Sequence, residues 1–352
     1  MSEQFEAVIG LEVHVQLNTN SKIFAPSSTT SGKEPNTLTD PVTLGLPGAL
    51  PVLNKHAVDF AIKLGLATKC QIQRENVFAR KHYLYPDLPK GYQISQYDKP
   101  ICVNGRLDLL FEGKTFTVGI TRIHMEEDAG KNIHHENEAI SSVDLNRAGV
   151  PLLEVVSEPD MRDATQAGAY MRQLRQLVRY LDISDGNMEE GSLRCDANIS
   201  IRTRGENKLG TKVEIKNLNS FRHVEKAIDF EIQRQSALLT SGVAIIQETR
   251  LWDEAKGETR SMRTKEFAED YRYFPDPDLP IVIIDEHWIS RIKSTLPELP
   301  DDLRNRFQTV YGLDFYTADV LSQEKLVATY YDACVAEHNN PSARLESCPS
   351  GD

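Results

Sequence analysis

A short alternating run near the N-terminus constrains the fold more than any other feature. In Leu11-Glu12-Val13-His14-Val15-Gln16-Leu17, Leu11, Val13, Val15 and Leu17 are apolar, while Glu12, His14 and Gln16 between them are polar. Successive strand side chains point to opposite faces, so a period of two predicts a strand with one buried face. The other face displays a carboxylate, an imidazole and an amide in a row. The alternation returns over 194–202, with Arg194, Asp196, Asn198, Ser200 and Arg202 on the polar side. After a turn through Gly205 and Gly210 it runs back with Lys212, Glu214 and Lys216 on the polar side. Cys195 falls on the apolar side and reads as packing.

Helical spacing is clearest over about 161–182, where Ala164, Ala167, Met171, Leu174, Val178 and Leu181 recur at three and four, with Asp160 or Asp163 as the N-cap. Further helices are expected at about 54–67 and 221–240, the second stopping near Gly242. Residues 19–54, rich in Ser, Thr, Pro and Gly, read as a long structured loop of a kind that is often functional. Short strands follow to about 125, with a hairpin turn near Glu112-Gly113-Lys114. Residues 245–295 begin strand-like, and the texture turns helical from about 296. At roughly 150 residues per domain, 352 residues suggest about two domains. The fold class expected is α+β, a mostly antiparallel sheet with packed helices.

Charge and cysteine usage narrow the function. The net charge of −12 disfavours a broad electrostatic grip on nucleic acid. Cys70, Cys102, Cys195, Cys334 and Cys348 are odd in number and contain no C-x-x-C pair, which fits a reducing, cytoplasmic setting. No run approaches the ~20 apolar residues of a membrane span. There is no Walker loop, since Asp108 stands where Gly113-Lys114-Thr115 would require glycine, and no G-x-G-x-x-G, G-x-S-x-G or H-E-x-x-H.

Strand-like segments nevertheless carry acids that a shared sheet would gather: Glu12 beside His14, the run Glu126-Glu127-Asp128, Glu154, Asp196 and Glu214. Like charges repel unless a cation neutralises them, and Mg²⁺ takes carboxylate and phosphate oxygens. Parity puts His124, Glu126 and Asp128 on one face and Glu127 on the other. Cations suited to phosphate are Arg80, Lys81, Lys90, Arg147, Lys216, Arg263 and Arg272. Taken singly, each acid also fits a solvated strand face, and Asp196 and Glu214 also fit cross-strand pairing with Lys212 and Arg194.

Several long motifs occur in one order: Ile9-Gly10-Leu11-Glu12-Val13-His14-Val15-Gln16-Leu17, Leu44-Gly45-Leu46-Pro47-Gly48-Ala49-Leu50-Pro51, Tyr92-Gln93-Ile94-Ser95-Gln96, His124-Met125-Glu126-Glu127-Asp128-Ala129-Gly130-Lys131, Glu189-Glu190-Gly191-Ser192-Leu193-Arg194-Cys195-Asp196-Ala197-Asn198, Val213-Glu214-Ile215-Lys216-Asn217-Leu218-Asn219-Ser220 and Tyr271-Arg272-Tyr273-Phe274-Pro275. Over about residues 5–340 the chain resembles the B-subunit family of bacterial aspartyl/glutamyl-tRNA amidotransferases. The resemblance implies ATP- and Mg²⁺-dependent phosphorylation of the side-chain carboxylate of Glu-tRNA(Gln) or Asp-tRNA(Asn). Ammonia channelled from a glutaminase A subunit then displaces the phosphate, and the heterotrimer is braced by a small C subunit. It further implies a cradle-like domain over 1–294 and the start of a helical domain over 295–352.

By motif position the resemblance assigns catalytic roles to Glu12, His14, Glu127, Asp196 and Glu214, and metal ligation to these together with Glu154. ATP contacts are expected from Arg80, Lys81, Arg147, Lys216 and Arg272. Where many relatives carry a four-cysteine zinc site, this chain has Ala25, Ser27, Asp40 and Thr43, so no zinc is expected. The stretch from Pro341 to Asp352 departs from the family pattern. A shortened or frame-shifted end is expected, lacking most of the helical domain and the tRNA-contacting tail domain. Two other readings compete: a non-catalytic scaffold that docks the A subunit, and an independent carboxylate-rich metallohydrolase.

Overall fold

In the computed structural model the described residues are 4–111, 114–135, 140–264 and 271–337. The tip of the expected hairpin at Glu112-Gly113, the Arg263 side chain and the stretch from Pro341 to Asp352 lie outside them. The chain runs β1 (Phe5–Gln16), α1 (Lys55–Ala67), β2 (Gln71–Ile72), β3 (Glu75–Asn76), β4 (Phe78–His82), β5 (Tyr92–Gln96), β6 (Cys102–Phe111), β7 (Lys114–Glu127), β8 (Lys131–His134), β9 (Ser141–Asp144) and β10 (Pro151–Ser157). It continues with α2 (Ala164–Tyr180), β11 (Leu193–Thr203), β12 (Val213–Leu218), α3 (Phe221–Thr240), β13 (Glu248–Asp253), β14 (Glu258–Thr264), β15 (Phe274–Pro275) and β16 (Val282–Ile283). Four helices close it: α4 (Glu286–Lys293), α5 (Pro300–Thr309), α6 (Phe315–Ser322) and α7 (Lys325–Glu337).

Among the described residues, twelve strands form one sheet in the order β14-β13-β12-β11-β1-β10-β7-β5-β4-β15, with β6 paired to β7 and to β2. Every pair is antiparallel except β12 with β13, and α3 supplies the crossover that a parallel pair needs. The apolar side of β1 lies in one core with Ala57 and Leu64 of α1, Met171, Leu174 and Val178 of α2, and Val224 and Ile228 of α3. Helices therefore cover that face, and the polar residues of each alternating strand are left on the other. This is the α+β arrangement that the alternation implied.

The helix starts follow their caps. Asn54 accepts from the His56 amide (2.9 Å), Asp163 from Gln166 (2.8 Å) and Ser220 from His223 (3.1 Å). Asp163, not Asp160, therefore caps α2. Past α3, Gly242 adopts φ +74° and stops the helix. α4 is an element that spacing alone did not reveal, because eight residues are too few for a clear period. It is set by the Asp285 cap and by burial of Ile289 and Ile292 in the main core. A second, small core gathers Tyr180 of α2 with Leu303, Phe307, Leu313, Ala318, Ala328 and Tyr331.

In the long early loop, Asp40 is a hydrogen-bond hub. It accepts from the amides of Val42 (2.9 Å) and Thr43 (3.0 Å), from the Thr43 hydroxyl (2.6 Å) and from the Ser27 hydroxyl. No described helix is long and apolar enough to cross a membrane.

Candidate functional site

Strand register draws the polar residues into a stripe across the uncovered face. Glu12 lies opposite Asp196, and Asn198 opposite Glu214. On the other side of β1, His14 lies opposite Glu154, and Glu154 lies opposite His124. Glu126, two residues on from His124, lies opposite Ser95. Residues separated by more than 100 positions in the chain become neighbours because β1 is the centre of the sheet.

The stripe contains one tight cluster. The His14 Nε2 atom is 3.4 Å from Glu154 Oε2 and 3.6 Å from Glu126 Oε1, and His124 Nε2 is 3.3 Å from the same Glu154 oxygen. One ligand atom each from His14, Glu126 and Glu154 lies within 4.8 Å of the others. Burial alone would lower both imidazoles, but the facing carboxylates outweigh it. Glu154 and Glu126 hold His14 above its ordinary value, and His124 is pushed up to about 9. Burial would raise the Glu154 carboxyl, yet His124 and His14 hold it well below the usual carboxylate range. The two imidazoles thus face the acids with their protonated forms favoured. A divalent cation would take over that role and expel the protons. The oxygen donors suit Mg²⁺, and the imidazole also suits softer divalent ions.

Glu126 and Glu154 of the cluster, with His124, line a cavity of about 260 Å³, whose lining also includes Glu12, Lys81, Arg122, Ser95, Tyr97 and Tyr273. Lys81 and Arg122 have no acidic partner among the described residues. The Lys81 ammonium instead lies 4.7 Å from the Tyr271 ring centroid. Anionic donors and unpaired cations therefore share one small space, as a metal-bound phosphate chain requires. Glu12 is held at the cavity by the Asn198 side-chain amide, 2.8 Å away.

The other expected site residues fall elsewhere. Glu127 is turned away from the cluster: Lys90 grips its carboxylate at 2.6 Å and the Ile94 amide donates to it at 2.8 Å. The resemblance pointed to Glu127; adjacent strand residues point oppositely, and the residue beside His14 and Glu154 is Glu126. Asp196 and Glu214 share Lys216, at 2.5 and 3.1 Å. Burial works against that ammonium, but the two acids raise its pKa above the ordinary range. Thr249 also donates to Glu214 (2.8 Å). These three groups extend the stripe but do not line the cavity.

Arg80 faces the other way from Lys81, donating to Asp276 (2.8 Å) and Asp278 (2.7 Å). Arg147 donates to the carbonyls of Ala129 and Gly130. Arg272, exposed and left-handed at φ +45°, offers its carbonyl to the His82 ring at 3.2 Å. Asp128 is taken by Gln16 (2.8 Å) and Arg194 (2.9 Å). Residue reading passed over Arg122, His124, Ser95, Tyr97 and Tyr273. Parity carried the signal for the first two, because Arg122, His124 and Glu126 stand two apart on β7.

A family model described as the GatB/GatE catalytic domain matches residues 7–290. A relative from Trichlorobacter lovleyi, described as the B subunit of an aspartyl/glutamyl-tRNA(Asn/Gln) amidotransferase, is 59% identical over 340 residues, covering 97% of this chain and 71% of the relative. Relatives of the same description from Syntrophotalea carbinolica and Geobacter sulfurreducens are 56% and 57% identical, covering 97% and 94% of this chain and 71% and 70% of their own lengths. Identity this high over nearly the whole chain, spanning every strand of the polar stripe, shows that the chain belongs to the B-subunit family of tRNA-dependent amidotransferases.

Proposed function

We propose that this chain activates the side-chain carboxylate of glutamate or aspartate esterified to the wrong tRNA, consuming ATP, so that ammonia can convert the residue to glutamine or asparagine. A carboxylate accepts ammonia poorly because its oxygen leaves badly. In the proposed sequence a carboxylate oxygen bonds to the terminal phosphorus of ATP as the bond to ADP breaks. The nitrogen of ammonia then bonds to the acyl carbon, phosphate leaves, and the nitrogen sheds a proton.

The observation that carries this reading is the cavity lined at once by Glu126 and Glu154 and by Lys81 and Arg122, two cations with no acidic partner among the described residues. Lys81 and Arg122 hold phosphate oxygens as fixed positive charge. His14, Glu126 and Glu154 hold a divalent cation, with His124 orienting Glu154. Magnesium bound there would neutralise charge on the transferring phosphate. Glu12 receives the proton that ammonia sheds. Lys216 keeps Asp196 and Glu214 neutralised beside it. Relatives are named as B subunits of a tRNA amidotransferase, which supports work beside other subunits; in this reading those are a glutaminase A subunit and a small C subunit in the cytoplasm, with misacylated tRNA on the polar face. In this reading residues 1–294 form the cradle and 295–352 begin a helical domain.

The test assembles this chain with the A and C subunits of a relative and follows ADP release with Mg²⁺ and ATP. Glu-tRNA(Gln) or Asp-tRNA(Asn) is expected to stimulate release, and Glu154→Gln and Lys81→Met are each expected to lower it at least ~100-fold. An assembled complex whose ADP release ignores both tRNAs would replace this reading with that of a docking scaffold.

A further inference from the structure

We infer that Tyr97, stacked on Tyr273 at the rim of the cavity, is the platform on which the purine ring of the bound nucleotide lies. This rests on the nucleotide reading of the cavity given above and adds to it the part of the ligand that phosphate chemistry leaves unplaced.

The two rings lie nearly parallel, with centroids 4.1 Å apart and planes 5° from each other. That stack covers one face of Tyr97, yet the residue is 55% exposed, so its other face is open. Both tyrosines line the cavity that holds Lys81, Arg122 and the acidic cluster. Its volume of about 260 Å³ falls below the usual ~300–1,000 Å³ of small-molecule sites. A phosphate chain with its cation fills such a space, and the base of a nucleotide must then lie at the rim.

The platform is also held in place. Tyr97 directly follows β5. The segment carrying Tyr273 is pinned to β4 by the His82 amide, which donates to the Tyr271 carbonyl (2.9 Å), and by the pairing of Phe274 with Arg80. A rigid aromatic face beside a cationic cleft binds a flat base by stacking, without need of hydrogen bonds to its edge.

The experiment titrates the full chain with ATP and with inorganic tripolyphosphate, each with Mg²⁺, by calorimetry. The wild type is expected to bind ATP about 10-fold more tightly than tripolyphosphate. Tyr97→Ala is expected to lose that difference while binding tripolyphosphate as before, and Tyr97→Phe to keep it. Unchanged ATP affinity in Tyr97→Ala overturns the inference, as does an equal loss for both ligands. If a short RNA ending in adenosine, and not ATP, weakens with Tyr97→Ala, the platform serves RNA and the inference is again overturned. Failure of the wild type to bind either phosphate ligand would instead remove the nucleotide reading of the cavity itself, and this inference with it.

Discussion

Neighbouring residues of a strand face opposite ways, and at the end of β7 that rule separates two adjacent carboxylates. Glu126 joins His14 and Glu154, while Glu127 closes a buried pair with Lys90, whose side chain is 8% exposed. The two should fail differently when neutralised. Glu126→Gln removes a ligand atom, so Mn²⁺ affinity measured by electron paramagnetic resonance is expected to fall ~100-fold with little change in stability. Glu127→Gln strands the Lys90 ammonium, so urea unfolding is expected to show a loss of about 3 kcal/mol while Mn²⁺ affinity holds. The reverse pattern would return the ligand role to Glu127. His14, Glu12 and Glu154 were legible from alternation and apolar context. Parity narrowed the triplet to Glu126 and Asp128, and the choice between them was not legible, because it depends on Gln16 and Arg194 drawing Asp128 away. Tyr97 was not legible, because an open ring face is defined by neighbours that a sequence does not show.

At the scale of elements, period two and period 3.6 mark out β1, β11, β12, α1, α2 and α3, since each has a dry face to hide. They say nothing of strand order, which brings residues 14, 126 and 154 together through two antiparallel registers. The loop at 19–54 is the opposite case, an element without a period, ordered by polar bonds. Ser27 and Thr43 both bond to Asp40, so a carboxylate ties the loop. Burial would raise the Asp40 pKa, but the Ser27 and Thr43 hydroxyls and the Thr43 and Val42 amides outweigh it and hold it below its ordinary value. A depressed carboxylate pKa contributes stability that is fully present above the unfolded value near ~4 and is lost as pH falls through the folded value. Asp40→Ala should therefore cost about 1–2 kcal/mol at pH 7, allowing for partial exposure. Urea titrations of the two proteins are expected to converge as pH is lowered below ~4. A gap that stays constant with pH would mean that packing, not the charge, holds the loop.

For the whole molecule, the question is where the main body ends. Ile284, Ile289 and Ile292 lie in the large core, and α4 is clasped to α1 through Asp59, which accepts from the Trp288 indole (2.6 Å) and the Arg291 guanidinium (2.7 Å). Beyond residue 299 the apolar residues pack mainly among themselves around Phe307 and Tyr331. Among the described residues that small core touches the body at α2 and at Asp182 just beyond it, which pairs with Lys325. Tyr180 donates to the Ser322 carbonyl, Arg179 pairs with Glu324 (2.9 Å), and Gln176 donates to the Gln323 carbonyl (3.1 Å). A cluster of that size cannot offset its own chain entropy, whereas the sheet and α1–α4 carry a complete core. The fragment 1–294 is therefore expected to unfold in a single cooperative transition, with Mg²⁺·ATP affinity within about twofold of the parent. The uncovered Tyr180 should cost it ~1–2 kcal/mol, or roughly 2–3 °C in Tm for a body of this size. Circular dichroism melts and calorimetry check both numbers. A fragment with no cooperative melt would mean that α5–α7 complete the fold of the sheet. A fragment that melts normally but no longer binds Mg²⁺·ATP would mean that α2, relieved of its partner helices, shifts the sheet whose polar face carries the site.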